Sequence, residues 1–327
     1  MKAAYYEAQG NARDVLVVGE SSMPEPGPNE VRIRVHVSGI NPTDVKARTG
    51  FSAGMPYPRI IPHQDGAGVI DAIGEGVSSD RLGERVWVYE AQFGRSMGTA
   101  AEFVVVPSDQ AVHLPHTTTF EVGASLGIPA LTAHRCLFAD GNLKDRHVLV
   151  HGGAGVVGTA AIQLAKWAGA WVATTVMSDE QAAIAEANGA DVVLRRQSDD
   201  VASRIMDAAG GLGVDRIVDV ALKSNLDVNL ACLSQGGVIS AYATGSATDE
   251  LPVPLLKAMM HGCVFRFVYI YNVPKEVKQS AIVDINACLE AGAYSPHIGL
   301  SNPLDDIVEA HEALEFSRVI GKVLVRP

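Results

Sequence analysis

The chain of 327 residues carries a formal net charge of −11, and 47% of its residues are hydrophobic and 19% charged. A chain of this length exceeds what one hydrophobic core usually serves, so we expect two domains. The balance of apolar and charged residues argues against disorder. The acidic charge argues against general binding to nucleic acid or to an anionic membrane surface.

The compartment is indicated by what the sequence does not contain. The amino terminus lacks the apolar region of a signal peptide, and no apolar run reaches the ~20 residues of a membrane helix. The four cysteines are far apart and have no CxxC spacing, which is typical of buried, reduced thiols. They are Cys136, Cys232, Cys263 and Cys288. We therefore expect a cytoplasmic protein.

The first ~120 residues are predicted to be rich in β-structure. Residues 31–37 alternate apolar and polar side chains, as a half-buried strand does. Further strands are predicted at 67–74, 85–88 and 102–107, separated by Gly, Pro, Asn and Asp. Short strands in this arrangement predict a partly open barrel.

The pattern changes near Thr118 to an alternation of strands and helices. A helix is predicted at 121–139, interrupted at Pro129. The strands that follow are predicted at 148–150, 171–176, 192–194, 216–220 and 237–241, with helices at 159–167 and 179–188. Such alternation predicts a parallel sheet covered on both faces. A helix at 275–291, a segment at 305–316 and a strand at 322–326 complete the chain.

A glycine-rich turn is the strongest motif. Gly153-x-Gly155-x-x-Gly158 follows the apolar strand at 148–150 and opens an amphipathic helix, the context of a Rossmann dinucleotide site. The first glycine allows the tight turn, the second lets the pyrophosphate approach the backbone, and the third lets the helix pack on the strand. The helix N-terminus then offers N–H groups to the phosphates.

The end of the next strand indicates which dinucleotide binds. An NAD site usually has a carboxylate there to hold the ribose 2′-hydroxyl. This chain has Met177 and Ser178, and Asp179 is expected to begin the next helix. Arg195 or Arg196 could supply a cation for a 2′-phosphate, although an exposed pair of arginines after a strand is the alternative. We therefore expect NADP rather than NAD.

Candidate metal ligands and nucleophiles are few. His63 lies in a loop without a neighbouring Cys or the HxxxH or CxxC spacing of zinc sites, so we expect a structural role. His134 and His151 are expected to pack or to contact a cofactor. The chain has no GxSxG motif, so a nucleophilic serine is not indicated.

Several sequence blocks together resemble the zinc-free quinone oxidoreductases, the zeta-crystallin-like branch of the medium-chain dehydrogenase/reductase superfamily. The resemblance extends essentially end to end. The matching blocks, besides the glycine-rich turn, are 39–44 (GINPTD), 65–74 (DGAGVIDAIG), 98–102 (GTAAE), 127–133 (GIPALTA) and 321–325 (GKVLV).

The comparison with the zinc-dependent members implies that no metal is bound. Asn41 stands where those alcohol dehydrogenases have a catalytic cysteine, and Gln64-Asp65 stand where they have a His-Glu pair. His63 is displaced by one position from the ligand. The segment 90–102 has none of the four cysteines of their structural zinc lobe.

The resemblance implies an α/β fold with a GroES-like, partly open β-barrel domain and a Rossmann domain with a doubly wound parallel sheet. The implied domains are a catalytic domain at 1–121, an NADP-binding domain at 122–292 and a return to the catalytic domain at 293–327. Asn41 and Lys46 would line an interdomain cleft, although many relatives have tyrosine where Lys46 stands. The implied cofactor contacts are Thr132, Gly153, Ala154, Gly155, Val156, Val157, Gly158, Met177, Ser178, Arg196, Asn225, Tyr242, Ala243, Thr244, Gly245, Phe267, Val268 and Tyr269.

The implied activity is zinc-independent reduction of a quinone by NADPH, with transfer from nicotinamide C4. Asn41 would hydrogen-bond the acceptor oxygen or the cofactor ribose. One alternative is reduction of the C=C bond of enones, alkenals or enoyl thioesters, because the same metal-free site serves that chemistry. Another is a non-catalytic, cofactor- or RNA-binding role, against which the acidic composition weighs. The resemblance also implies a homodimer.

Overall fold

The computed structural model describes residues 1–51 and 53–327 and divides into two compact units. The first unit comprises Met1–Ile128 and Pro296–Pro327, and the second comprises Pro129–Ser295. The sequence-based boundaries were placed after residues 121 and 292. Within the described residues, none of the helices combines the length and apolar character needed to cross a membrane.

The predicted strands and helices occur in the predicted order, and the structure adds further elements between them. The strands are β1 (Lys2–Tyr5), β2 (Val17–Glu20), β3 (Glu30–Ile40), β4 (Asp65–Ile73), β5 (Arg85–Val88), β6 (Phe103–Pro107), β7 (Ala111–His113), β8 (His147–His151), β9 (Trp171–Val176), β10 (Val192–Arg195), β11 (Val214–Asp219), β12 (Leu233–Ala241), β13 (Val264–Phe267), β14 (Ile298–Pro303) and β15 (Lys322–Arg326). The helices are α1 (Ala12–Val15), α2 (Pro42–Thr49), α3 (Phe120–Gly123), α4 (Gly127–Phe138), α5 (Val156–Trp167), α6 (Asp179–Ala187), α7 (Val201–Ala208), α8 (Leu222–Cys232), α9 (Leu255–His261), α10 (Lys275–Glu290) and α11 (Ile307–Glu315).

The first unit is built around a sheet in the order β14-β15-β3-β4-β5-β7. The long strand β3 pairs with β4 on one side, and on the other it pairs with β6 at its start and with β15 at its end. The register between β3 and β4 shifts twice, and such irregularities bend a sheet toward closure. This is the predicted GroES-like architecture. The C-terminal strand β15 returns to the first unit.

The second unit contains a six-stranded sheet in the order β10-β9-β8-β11-β12-β13, with parallel pairing throughout. Counted from β8, this is the order 3-2-1-4-5-6 of a Rossmann fold. The order reverses between β8 and β11, and ligands of such sheets bind beyond the carboxyl ends of the strands at that point. The predicted Rossmann domain is therefore confirmed.

The helix expected at 121–139 is two helices, and Pro129 does not separate them. The break lies between α3 and α4, at residues 124–126. Pro129 is the third residue of α4, within the first turn, where its missing N–H has no intrahelical acceptor to lose. The expectation of an interruption at this proline was wrong because the position of a proline within a helix decides its effect.

Candidate functional site

The glycine-rich turn connects β8 to α5, and each glycine is required for a different reason. The left-handed backbone conformation falls on Gly152, whose φ is 74°, rather than on Gly153. A Cβ on Gly153 would lie 2.1 Å from Thr174 Oγ1, and a Cβ on Gly158 would lie 2.2 Å from the carbonyl oxygen of Gly152. Gly155 is exposed and is the N-cap of α5. The first N–H groups of a helix have no intrahelical acceptor, so this turn can hold an anion.

A cavity of about 370 Å³ lies beyond the carboxyl ends of β8, β9 and β11. Three of the predicted cofactor contacts, Met177, Arg196 and Asn225, line it together with His151 and Thr175. A second, smaller depression shares these five residues and adds Gly152 from the glycine-rich turn. The structure therefore brings these three predicted residues and the glycine-rich turn to one place on the second unit.

The two arginines at the end of β10 differ in their partners. The Arg195 guanidinium forms an ion pair with Asp179, at 2.5 Å between Nη2 and Oδ1. The Arg196 guanidinium has no hydrogen-bond or ion-pair partner within residues 1–51 and 53–327, and this side chain is the one that borders the cavity. Ser178 is the N-cap of α6, where its Oγ accepts from the N–H of Gln181 at 3.2 Å. Arg196 is thus the cation available to a phosphate here.

A buried hydrogen-bond network joins three of the residues that line the cavity, His151, Thr175 and Asn225. The Asp219 carboxylate accepts from Asn225 Nδ2 at 2.9 Å, from Asn229 Nδ2 at 2.6 Å and from the N–H of Ala221. Because Asn229 donates through Nδ2, its Oδ1 accepts from His151 Nε2 at 2.7 Å. His151 Nδ1 then accepts from the Thr175 hydroxyl at 3.0 Å. Burial lowers the pKa of His151, so the neutral ring is the stable form.

Sequence reasoning missed most of this network. Thr175, Asp219 and Asn229 were not predicted as site residues. A usable signal existed for two of them, because Thr175 and Asp219 are polar residues at the carboxyl ends of buried parallel strands. Asn229 lies inside α8, and only the fold brings it to His151.

The remaining predicted cofactor residues lie elsewhere on the second unit. Residues 242–245 follow the end of β12, where Thr244 Oγ1 and the N–H of Gly245 both donate to Asp249 Oδ2 at 3.0 Å. Phe267, Val268 and Tyr269 lie at and beyond the end of β13, and Phe267 is 70% exposed. Thr132 is buried in α4. These side chains do not line the cavity described above, and their predicted contacts with the cofactor stay predictions.

Asn41, the predicted catalytic residue of the first unit, is buried in a cluster with opposite charges. Its Nδ2 donates to Asp65 Oδ2 at 2.7 Å, and its Oδ1 accepts from Lys322 Nζ at 2.8 Å. Lys322 and Asp65 form a fully buried ion pair, with 3.0 Å between Nζ and Oδ2. The backbone N–H of Asn41 donates to Asp44, and burial raises the pKa of that carboxyl to about 8. Asn41 therefore has a fixed position and a fixed amide orientation.

Lys46 and His63 have contacts of other kinds. Lys46 Nζ lies 4.4 Å from the centre of the Phe51 ring, a cation–π contact, and burial lowers the pKa of the Lys46 ammonium. Both ring nitrogens of His63 have protein partners: Nδ1 contacts Ser38 Oγ at 2.8 Å, and Nε2 contacts His311 Nε2 at 2.9 Å. Burial lowers the pKa of His63 well below its usual value. The contacts of His63 are those of a structural histidine.

The side chains at the aligned zinc-ligand positions are engaged with one another and with neighbours. Asn41 and Asp65 hold the Lys322 ammonium, and Gln64 Nε2 donates to Gln92 Oε1 at 3.0 Å. In the part of the chain that the structure describes, no group of three His, Cys, Asp or Glu residues is placed to hold a metal ion.

Known proteins match this chain along its whole length. The families described as alcohol dehydrogenase GroES-like domain and zinc-binding dehydrogenase match residues 27–116 and 156–285. A quinone oxidoreductase of Sus scrofa is 32% identical over 318 residues, which cover 97% of this chain and 94% of that protein. A mycobacterial protein solved in complex with NADPH is 28% identical with a TM-score of 0.85, and a structure described as an NAD-dependent alcohol dehydrogenase is 28% identical with a TM-score of 0.89. Both structural matches cover 100% of each chain.

Proposed function

Because this chain belongs to the quinone oxidoreductase family of the medium-chain dehydrogenases/reductases, we propose that it reduces quinones with NADPH and without a catalytic zinc. The chain is an oxidoreductase of the NADPH quinone oxidoreductase type. The observation that carries the proposal is the cavity beside the glycine-rich turn, where the Arg196 guanidinium has no hydrogen-bond or ion-pair partner in the part of the chain that the structure describes.

The preference for NADPH is supported by the residues around the end of β9. A protein carboxylate beside the ribose would repel a 2′-phosphate, and Met177 and Ser178 follow β9 at this position. The acids that line the cavity, Asp199 and Asp200, accept from the backbone N–H groups of Arg195 and Ser203. Arg196 can form charge-assisted hydrogen bonds with the phosphate, and the Ser178 hydroxyl can donate a further one. A complex with NADPH is described for the mycobacterial relative, whereas another similar structure is described as NAD-dependent. A direct comparison of NADPH and NADH therefore tests this part of the proposal.

Zinc independence is supported by the ion pair of the first unit. A divalent cation between Asn41 Oδ1 and Asp65 Oδ2 would lie against the Lys322 ammonium, which both oxygens already bind. Like charges at such distances repel strongly where water is excluded. Asn41 also offers a neutral amide oxygen, a weak ligand for zinc compared with thiolate or imidazole.

The chemistry of reduction is supplied by the bound dinucleotide, and the protein contributes binding and orientation. We propose that the second N–H of Asn41 Nδ2, the one not used by Asp65, donates to the oxygen of the acceptor. That oxygen gains negative charge as the quinone is reduced, so a hydrogen bond to it lowers the barrier. The proton that completes the hydroquinone comes from water. Lys46 is proposed to contact the acceptor beside Asn41.

A panel of acceptors tests this function against its nearest alternative. Purified protein would be mixed with NADPH and either a benzoquinone, a naphthoquinone, an enone or an enoyl thioester, and cofactor oxidation would be followed by absorbance. We expect the quinones to have the highest kcat/KM. A higher kcat/KM for the enone or the thioester would assign the enzyme to the C=C reductases instead.

We also propose that two copies of the chain associate through the β13 edge of the second unit. Helix α9 and strand β13 carry the apolar residues Leu255, Leu256, Met259, Met260 and Phe267, whose exposure ranges from 70% to 74%. Strand β13 ends the sheet, so its outer edge has unpaired backbone groups that a second β13 can bind. Large apolar side chains exposed beside an open sheet edge are typical of an interface.

Light scattering after gel filtration tests the dimer. We expect the wild-type protein to elute as a dimer and the Leu256→Glu/Met259→Glu variant as a monomer. Leu212→Glu is the matched control, because Leu212 is 74% exposed but lies outside α9 and β13. A monomeric wild-type protein at micromolar concentration would contradict this interface.

The four cysteines are free thiols, which supports our proposal of a reducing, cytoplasmic location.

A further inference from the structure

The buried pair of Lys322 and Asp65 contacts Asn41 on both ends of its carboxamide. The two charged side chains are 0% exposed, and Asn41 is 3% exposed. Asp65 Oδ2 accepts from both Asn41 and Lys322, while Asp65 Oδ1 accepts from the N–H of Ile128 at 2.8 Å. The carboxylate is thus fully engaged, and the ammonium lies between two oxygens.

Two glycines leave space for the Lys322 and Asp65 side chains, because a Cβ at either position would clash with them. A Cβ on Gly39 would lie 2.7 Å from Lys322 Cε, and a Cβ on Gly127 would lie 2.1 Å from Asp65 Oδ1. Strand β3, which ends at the residue before Asn41, pairs with β4 and with β15, which begin at Asp65 and Lys322. Three adjacent strand ends therefore converge on one carboxamide.

Stability alone gives little reason for the two charges. Removing two charges from water is costly, and well-packed apolar residues often replace a buried ion pair without loss of stability. By contrast, the two charges have a specific effect on the orientation of the Asn41 amide. A flipped amide would set Nδ2 against the ammonium and Oδ1 against the carboxylate, so the observed orientation is strongly favoured.

The cation also changes the amide electronically. An ammonium 2.8 Å from Oδ1 draws electron density toward the carbonyl oxygen and makes the amide N–H a better donor. Asn41 Nδ2 has one protein acceptor among the described residues, Asp65, which leaves its second N–H for a ligand. Taken by itself, an asparagine side chain is free to flip and is a modest donor.

We propose that Lys322 and Asp65 are positioning residues of the reaction: they fix the amide of Asn41 and strengthen its remaining N–H as a donor to the acceptor oxygen. This inference rests on the proposed role of Asn41 in quinone reduction. When a quinone takes up a hydride from NADPH, two electrons and one proton enter it and a hydroquinone anion forms, whose oxygen then takes a proton from water. The pair acts on this step through Asn41, without touching the acceptor.

The first test uses nuclear magnetic resonance of the protein without cofactor. The side-chain amide signals of Asn41 are assigned by their absence from the Asn41→Ser variant. We expect two distinct proton signals that exchange slowly with water in the wild-type protein. Rapid exchange or averaging of the two signals in the wild type would overturn the inference, whatever the variants do.

The second test removes both charges together, because a single substitution leaves an unmatched buried charge and can prevent folding. In Asp65→Asn/Lys322→Met we expect kcat with a quinone to fall about 10-fold, below the 10²–10³-fold loss typical of deleting a whole oxyanion donor. The Kd for NADPH should stay within about twofold, because the glycine-rich turn and Arg196 are unchanged. Unchanged kcat in this variant would overturn the inference.

The matched control is Arg32→Met/Asp71→Asn, which removes another ion pair of the first unit. Arg32 Nε and Asp71 Oδ1 lie 3.0 Å apart, and within residues 1–51 and 53–327 neither side chain forms a hydrogen bond or ion pair with Asn41. We expect wild-type kcat from this control, and a loss equal to that of the test variant would overturn the specific role of Lys322 and Asp65. If the wild-type protein does not reduce quinones at all, the proposed function fails, while the amide signals of Asn41 still decide whether the pair fixes its orientation.

Discussion

Replacing Arg196 by glutamine removes the cation that we assign to the 2′-phosphate of NADPH. The wild-type guanidinium lies at the cavity edge and has no hydrogen-bond or ion-pair partner among the described residues, so its loss breaks no such contact there. Hydrogen bonds to charged groups contribute about 1.5–3 kcal/mol. A loss of this free energy raises the Kd for NADPH by about 10- to 150-fold. NADH has no 2′-phosphate, so its Kd should change less than about twofold.

Fluorescence titration of both cofactors at one fixed ionic strength measures these constants, since phosphate contacts weaken with salt. Arg195→Gln is the control: it removes the neighbouring positive charge, whose partner Asp179 is 98% exposed, and should leave NADPH binding nearly unchanged. Equal weakening of NADPH and NADH in Arg196→Gln would refute the assignment, because it would show a general disturbance of the cavity. An unchanged Kd for NADPH would refute it as well.

Two further predictions concern the stability of the fold. Gly158→Ala should lower the free energy of unfolding by about 1–3 kcal/mol, because the new Cβ would lie 2.2 Å from the backbone oxygen of Gly152. Gly54→Ala, whose added Cβ would have no atom of the described residues within 4 Å, should be neutral in the same urea titrations, and equal effects would contradict the packing argument. Burial lowers the pKa of His311 to about 3, so the unfolded chain takes up a proton there that the folded chain does not, and stability falls as the pH drops below about 6.5. His311→Leu should therefore reduce the slope of unfolding free energy against pH between 6 and 5, by up to ~1.4 kcal/mol per pH unit; an unchanged slope would contradict this.

The features that the sequence predicted depend on residues close together in the chain. Strand periodicity and the glycine-rich turn are local patterns, and they predicted the parallel sheet and the place where β8 meets α5. Met177 and Ser178 were found by counting forward from that turn to the end of the next strand. Local reasoning left Arg195 and Arg196 as alternatives for the cation. The family resemblance then selected Arg196 and added Asn225, and the fold brings both to the same cavity as Met177.

The features that the sequence did not predict are long-range contacts. Lys322 follows Asp65 by 257 residues, and no periodicity relates them. Asn229 reaches His151 only because α8 packs beside the carboxyl ends of β8 and β11. The first glycine of the motif was assigned the tight turn, but Gly152 adopts the left-handed conformation, and Gly153 is needed to avoid Thr174. A motif specifies where a turn occurs, whereas the contacts around it decide the task of each glycine.

The central claim is quinone reduction by NADPH without a metal, and one measurement tests it directly. The protein is dialysed against a chelator, its residual metal content is determined, and the rate of NADPH oxidation by a benzoquinone is compared before and after addition of zinc. We expect the metal-stripped protein to have the full rate, and added zinc not to raise it. A rate that falls with the metal content and returns with zinc would contradict the account.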